Sequence, residues 1–403
     1  MVFHTLLKEA ENIRDQVVAW RRYLHQHPEL SFAEHETAKF IENTLRSFDH
    51  LLVTRPTPTS VMARLVGESP GKVIALRADI DALPIQEEND LPYCSKTKGA
   101  MHACGHDGHT AMLLGVAKIL SKYHSFIKGE VRFLFQHAEE LPPGGAEEMV
   151  AAGVMNNVDL VIGAHLQSTV EVGKVGVVSG PMLASPDTFH LTIFGKGGHA
   201  AEPHLTVDTI AIGAQVITNL QHLVSRYVNP MEPLVVSVTK FIGGDTHNVI
   251  PGSIELCGTV RSINPEVRQH VPKYMEQIIQ GITQAHGAEF ELKYDFGYRP
   301  VVNDGKVTQI VEETVIELFG PEMLYQIKPS MSADDFSAFQ NQSPGTYFNI
   351  GAGNKLLGII HPHHHPKFNI DEDSLEIGIK LFIGTLIKTL DLHLNNEKSA
   401  VKQ

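Results

Sequence analysis

The sequence predicts an α/β protein, a domain with a mostly parallel central sheet flanked by helices, interrupted by an inserted α+β domain. Three observations predict it. Short apolar runs alternate with helical patterns over the first part of the chain, the rhythm changes between residues 187 and 296, and runs rich in histidine, acid and cysteine follow apolar stretches.

Residues 31–48 open with Ser31 and Glu34 in capping-box spacing, and Phe40, Ile41, Thr44, Leu45 and Phe48 share one helical face, which predicts a helix. Next come KVIALRA (72–78), a helix from about Asp107 to Leu120, VRFLFQ (131–136) and DLVIGA (159–164). Continuous apolar runs between helices mark strands buried on both faces, as in a parallel sheet. Beyond residue 187 the pattern is different. Phe189, Leu191 and Ile193 alternate as a strand, and Ile210, Val216, Ile217, Leu220, Leu223 and Val224 recur at helical spacing. Leu234, Val236 and Val238 alternate, then Ile254, Leu256 and Val260; Asn264 and Pro265 open a second helix, and Phe290, Leu292 and Tyr294 close the set. The order is βαββαβ, a ferredoxin-like sheet of four strands with two helices. The expected division is a discontinuous first domain, 1–186 and 297–403, with 187–296 inserted.

Bulk properties agree. A chain of 403 residues suits two domains, and no apolar run reaches the ~18 residues that cross a bilayer. The start, MVFHTLLKEAENIRD, lacks the basic-then-apolar layout of a signal peptide, so a cytoplasmic location is expected. Cys94, Cys104 and Cys257 are too few for a disulfide framework. The net charge of −13 disfavours nucleic acid and anionic membranes as partners. The compositional oddity is 23 histidines.

In open α/β sheets, ligands bind at the carboxyl ends of strands. Asp79 and Asp81 follow the first strand, Glu139 and Glu140 the strand ending at Gln136, and His165 the strand ending near Ala164, while Cys104 and His106 immediately precede a helix. Separate loops could therefore gather Cys104, His106, Glu140 and His165, a thiolate, imidazole and carboxylate set suited to zinc or a similar divalent ion. Each residue alone is weak evidence, since a lone cysteine is usually an inert buried thiol and paired acids usually face solvent. Their equivalent topological positions carry the reading. GESPG (67–71) matches G-x-S-x-G, but a strand follows it where a nucleophile elbow needs a helix, so Ser69 is read as a loop residue. HETAK (35–39) begins like H-E-x-x-H and ends in lysine, so it is read as part of a helix.

In order along the chain, RRYLHQHPELSFAEHET, ALRADIDALP, MHACGHDGHTAMLLG, QHAEE, GAHL, GKGGHAAEPH, NVIPG, GTVRS and HHPKFNIDE resemble the metal-dependent amidohydrolase branch of the aminoacylase and carboxypeptidase G family. That branch includes hippurate hydrolases, N-acyl-amino-acid amidohydrolases and indoleacetyl-amino-acid hydrolases. The match runs from about residue 21 to 374. The resemblance implies two divalent ions per subunit, from among zinc, manganese, cobalt and nickel, and a homodimer formed through the inserted domain. It implies Cys104, His106, Glu140, His165 and one histidine of 361–365 as metal ligands. His364 fits the H-x-P-x-F pattern, with His361, His363 and His365 as rivals. The chain departs from most relatives at Arg77, where they carry a histidine ligand, and at Asp334, where a glutamate is expected. Arginine cannot ligate a cation, so Asp79 is expected behind the ligands.

The implied reaction is hydrolysis of the amide of a small N-acyl amino acid or related peptide by metal-activated water. Glu139 is the expected general base and His199 the expected oxyanion donor, with Asn248 and Arg261 on the substrate carboxylate. A catalytically silent metal-binding or ligand-binding protein of the same fold is the other reading. Glu139 distinguishes them, because a silent protein has no need of a base there.

Overall fold

The structure, a computed structural model, describes residues 2–390; residue 1 and residues 391–403, the end of the expected second catalytic segment, lie outside the described residues. The chain divides into two compact units. The first comprises Met1–Gly180, Val302–Lys328 and Asp335–Gln403, and the second Pro181–Val301 and Pro329–Asp334.

The first unit begins with helices α1 (Val2–Asn12), α2 (Arg14–Gln26) and α3 (His35–Arg46). α3 buries Ile41 and Leu45, as their spacing predicts. The expected capping box does not form. Ser31 Oγ donates instead to Asp81 Oδ2 at 2.7 Å, and Glu34 accepts from the backbone N–H groups of Phe32 and Ala138. The orphan N–H groups of Glu36 and Thr37 are taken by the Glu29 carboxylate at 3.2 and 2.7 Å. An acid outside the helix thus takes the place of the local cap.

Strands β1 (Leu51–Thr54), β2 (Val61–Val66) and β3 (Ser69–Asp79) follow, then α4 (His106–Lys122), β4 (Lys128–Gln136), β5 (Leu160–Glu171) and β6 (Val175–Val177). Ser69 is the first residue of β3 rather than a loop residue. The glycines of GESPG have a backbone reason: a Cβ on Gly67 would stand 2.0 Å from the Ile127 carbonyl oxygen, and one on Gly71 would stand 2.7 Å from the Lys128 carbonyl carbon. They permit a close pass beside the start of β4. β5 also runs past its expected end, which puts His165 inside the strand. β3 pairs with β5 only as far as Arg77 opposite Gly163, so His165 lies just beyond the point where that pairing stops.

The second unit is built from β7 (Ser185–Phe194), α5 (Thr209–His222), β8 (Leu234–Ile242), β9 (Ser253–Ser262), α6 (Pro265–His286) and β10 (Glu289–Asp295). Its sheet order is β8-β9-β7-β10, all antiparallel. Alternation puts Phe189, Leu191, Ile193, Ile254, Leu256 and Val260 in a core with Val216, Leu220, Val271 and Met275 of the helices. Asp208 and Asn264 cap the two helices by accepting from N–H groups two and three residues on.

The chain then returns to the first unit with α7 (Gly305–Phe319), β11 (Leu324–Gln326), β12 (Gly345–Gly353) and α8 (Asp373–Thr389). The completed eight-stranded sheet has the order β1-β2-β4-β3-β5-β12-β6-β11. β4, β3, β5 and β12 are mutually parallel at its centre. α4 packs between the sheet and helices α2 and α8, so 15 of its residues are buried. It supplies Met112, Leu113 and Val116 to a core shared with Leu76, Phe133, Ile162, Phe348 and Ile379. Each such buried side chain contributes roughly 1.5–3 kcal/mol. That rigid centre carries the loops described next.

Candidate metal centre

At the start of α4, Gly105 takes φ 95°, a left-handed conformation that suits glycine. Cys104 and His106 flank it. The Cys104 Sγ lies 3.5 Å from His165 Nε2, whose Nδ1 donates to the Leu166 carbonyl at 2.9 Å. His106 Nδ1 donates to the Asp81 carbonyl oxygen at 2.9 Å and lies 3.2 Å from Asp81 Oδ1. This commits the Nδ1–H, so Nε2 is the ring nitrogen that would face an ion, once it gives up its proton. That Nε2 is buried without a hydrogen-bond partner, 3.8 Å from Glu140 Oε1 and 4.0 Å from Glu139 Oε2.

The two glutamates stand on a loop pinned on both sides. Ala138 adopts φ 49°, a costly conformation for a residue with a Cβ, and its N–H donates to Glu34 Oε1 at 2.7 Å. The Glu140 N–H donates to Asp81 Oδ2 at 3.1 Å. Among the histidines of 361–365, His364 also has positive φ, 63°, and its Nε2 is 3.2 Å from Glu140 Oε1. His363 Nδ1 is 3.7 Å from Cys104 Sγ, with Nε2 on Gln167 Oε1. His361 and His365 stack on each other. Three trios each bring one ligand atom per residue within 4.8 Å of one another: Cys104, His106 and His165; Cys104, Glu140 and His364; His106, Glu139 and Glu140. All five expected ligands and Glu139 therefore meet in one cluster.

Charge in the cluster favours a cation. Burial opposes a charge on His106, but Asp79 and Asp81 outweigh it and push the pKa up to about 10. Burial, and then the carboxylates of Glu140, Glu139 and Asp79, hold the Cys104 thiol well above its usual range. Burial keeps His165 well below the usual histidine range and lowers His363 to about 3, so both are neutral donors of a lone pair. A buried orphan nitrogen, a thiol surrounded by acids and neutral imidazoles together fit a divalent transition ion, whose charge would release the thiol proton.

The remaining expected residues lie in the second unit. His199 pairs with Val249 in a two-residue ladder, and the Ala200 N–H donates to the Asn248 carbonyl at 3.1 Å, so His199 and Asn248 are neighbours. Gly195 and Gly197 make this possible, because a Cβ there would stand 2.4 Å from the Val207 oxygen and 2.7 Å from the Ile250 oxygen. His199 is exposed, and its Nδ1 accepts from the Ala201 N–H at 3.1 Å, which leaves Nε2–H as an outward donor. Arg261 is half-buried on the sheet face opposite Ile254, Leu256 and Val260. It donates to Thr259 Oγ1 and to the Val260 carbonyl.

Sequence reasoning did not single out Asp81 as the acid that orients His106, or Glu34 as the acid that pins the glutamate loop. Asp81 had a faint signal, two residues beyond a strand end. Glu34 had none, because its spacing to Ser31 pointed to a helix cap. Arg77 is fully enclosed and donates to Asp79 Oδ2 at 2.6 Å, which places Asp79 behind the cluster.

The model of peptidase family M20/M25/M40 matches residues 75–388. The chain is 64% identical over 293 residues to an N-acyl-L-amino acid amidohydrolase of Geobacillus stearothermophilus, covering 73% of this chain and 79% of that one. It is 40% identical over 378 residues to an N-acetylcysteine deacetylase of Bacillus subtilis, covering 93% and 97%. The crystal structure of the Bacillus subtilis YXEP protein, a dinuclear metal-binding peptidase from the M20 family, superposes with TM-score 0.84 at 36% identity, covering 94% of this chain and 99% of that one.

Proposed function

The chain belongs to peptidase family M20/M25/M40, and from that premise we propose that it is a metal-dependent amidohydrolase that cleaves N-acyl amino acids to a carboxylic acid and a free amino acid. The observation that carries this reading is the unpartnered His106 Nε2, which faces Glu139 and Glu140 beside the Cys104 and His165 pair.

Cys104, His106, Glu140, His165 and His364 would hold divalent ions, and the trios that share Cys104 and His106 support two per subunit. When bound, such ions supply Lewis acidity to the scissile carbonyl and acidify water at the site. The thiolate favours borderline-soft ions, and zinc, manganese, cobalt and nickel are the candidates. Glu139 takes the proton of the attacking water and returns it to the leaving amine. His199 donates from Nε2 to the developing oxyanion, and Asn248 and Arg261 hold the substrate carboxylate, for which a guanidinium offers two parallel donors. The second unit, inserted into the first, is assigned to pairing two subunits as a homodimer, and the cytoplasm is the proposed location.

The test is to strip the purified protein with a chelator, reload it separately with each of the four metals, and assay a panel of acetyl, benzoyl and longer N-acyl amino acids. Hydrolysis should vanish on stripping and return with at least one metal. No amide cleavage under any loading would refute the proposal.

A further inference from the structure

We propose that His109 is a positioning residue, a strut between Asp79 and the backbone of β5 that sets His165 before any metal arrives and that stays outside the ligand set. The inference rests on the metal-centre reading above and concerns a histidine that reading does not use.

Proximity alone would make His109 a ligand, since one atom each of Asp79, His106 and His109 lie within 4.8 Å of one another. Hydrogen bonding excludes it. His109 is buried, its Nδ1 is 2.6 Å from Asp79 Oδ1, and its Nε2 accepts from the Leu166 N–H at 2.8 Å. An Nε2 that accepts an amide N–H bears no proton, so Nδ1 carries the proton and donates it to the carboxylate. Both ring nitrogens are spent. His106 differs in just this respect, for its Nε2 has no partner.

The strut follows from where the pairing of β3 with β5 ends. Its pairing with β5 stops at Gly163, yet β5 continues, so the Leu166 N–H emerges where no β3 residue pairs with it. A buried N–H needs an acceptor, and the His109 ring takes the place of the missing strand. The same residue's carbonyl accepts from His165 Nδ1, so both backbone polar groups of Leu166 are engaged and the His165 lone pair stays on Nε2, facing Cys104. At the other end, Asp79 would be a costly buried charge if only a metal balanced it. Arg77 supplies the balance, with Nη1 2.6 Å from Asp79 Oδ2, and is itself fixed by Gln136 Oε1 at 2.8 Å and Asp335 Oδ1 at 3.1 Å. The buried arginine thus balances the Asp79 charge from within the protein.

The experiment compares wild type, His109→Leu and His109→Gln by hydrogen exchange with mass spectrometry on metal-free protein, resolved at the Leu166 amide, and by metal titration. In His109→Leu, exchange at Leu166 should be at least ~10-fold faster and metal affinity about 10–100-fold weaker, as for loss of a group that orients a ligand, with the number of ions bound at saturation unchanged. His109→Gln keeps a carbonyl near the Nε2 position and should fall between. If His109→Leu does not fold, the glutamine variant decides alone. A lower ion count with Leu166 protection intact would make His109 a ligand. Lost protection with unchanged affinity would reduce it to a structural residue, and either result overturns the proposal. A wild type that takes up no divalent ion would instead remove the metal-centre reading, while exchange at Leu166 still tests the strut.

Discussion

Glu139 and Glu140 are adjacent in sequence on the pinned loop and lie 4.0 and 3.8 Å from His106 Nε2, and the proposed mechanism gives them different work, one as base and the other as ligand. For Glu139→Gln we expect metal content to be retained and turnover to fall by about 100- to 10,000-fold, the range for a general base. Elemental analysis together with steady-state rates checks this, and unchanged turnover would take Glu139 out of the mechanism. Glu34, which anchors the same loop, makes a prediction about pH. Burial raises its pKa from an ordinary 4.5 to about 7, with Asp81 adding to the effect. A carboxyl raised on folding gives stability that is fully present below pH ~4.5 and is lost as pH climbs through about 7, at most about 3 kcal/mol for a shift of this size. Glutamine keeps the oxygen that accepts from Phe32 and Ala138 and cannot ionise. Glu34→Gln should therefore gain on wild type as pH rises, with a larger Tm advantage at pH 8.5 than at pH 5. A difference in Tm that is the same at both pH values would count against a buried, titrating Glu34.

At the scale of elements, the sequence was most legible where apolar side chains alone face the core and least where charged ones do. α3, β4 and the alternating strands of the second unit declare themselves by spacing. α2 does not, because its inward face is Val17, Arg21, Leu24 and His25, and the two polar members pair with Asp107 rather than with solvent. β12, GTYFNIGAG, lacks alternation because it is buried throughout, and its glycines argue against a strand. The second unit has its own buried charge, with a testable cost. Asp187 of β7 is enclosed and accepts from Arg268 of α6 at 2.7 Å, from the Tyr294 hydroxyl of β10 at 3.0 Å and from the Gly297 N–H at 2.9 Å. One carboxylate ties two strands, a helix and the exit of the sheet. Asp187→Ala strands a buried guanidinium and should cost about 3–5 kcal/mol in denaturant unfolding. Asp295→Ala, which removes the exposed partner of Lys293, should cost no more than about 1 kcal/mol. Equal losses in the two variants would mean that Asp187 is not the pin described.

Over the whole molecule, the candidate ligands come from four separate stretches of chain: Cys104 and His106 at the start of α4, Glu140 after β4, His165 within β5 and His364 before α8. Each was legible as a motif because ligands must be histidine, cysteine or acid. The groups that hold them, Asp81, Glu34, His109 and Arg77, were harder to read, because a single polar residue acquires such a role only when distant segments fold against it. A cation held by all four stretches can be bound tightly only if they are together, so it should stabilise the first unit as a body. All these ligands belong to that unit, and the second has a separate hydrophobic core. Binding to the native form alone adds about 4 kcal/mol when free metal is ~1,000 times the dissociation constant. Calorimetry of the full chain should therefore show one unfolding transition that moves to lower temperature when a chelator strips the metal, and a second that does not. In Cys104→Ala, which loses a ligand shared by two of the trios, the metal-dependent transition should start lower and move less. If both transitions shifted equally on chelation, the ion would not be confined to the first unit; if neither moved, the four stretches would not be held by a metal at all.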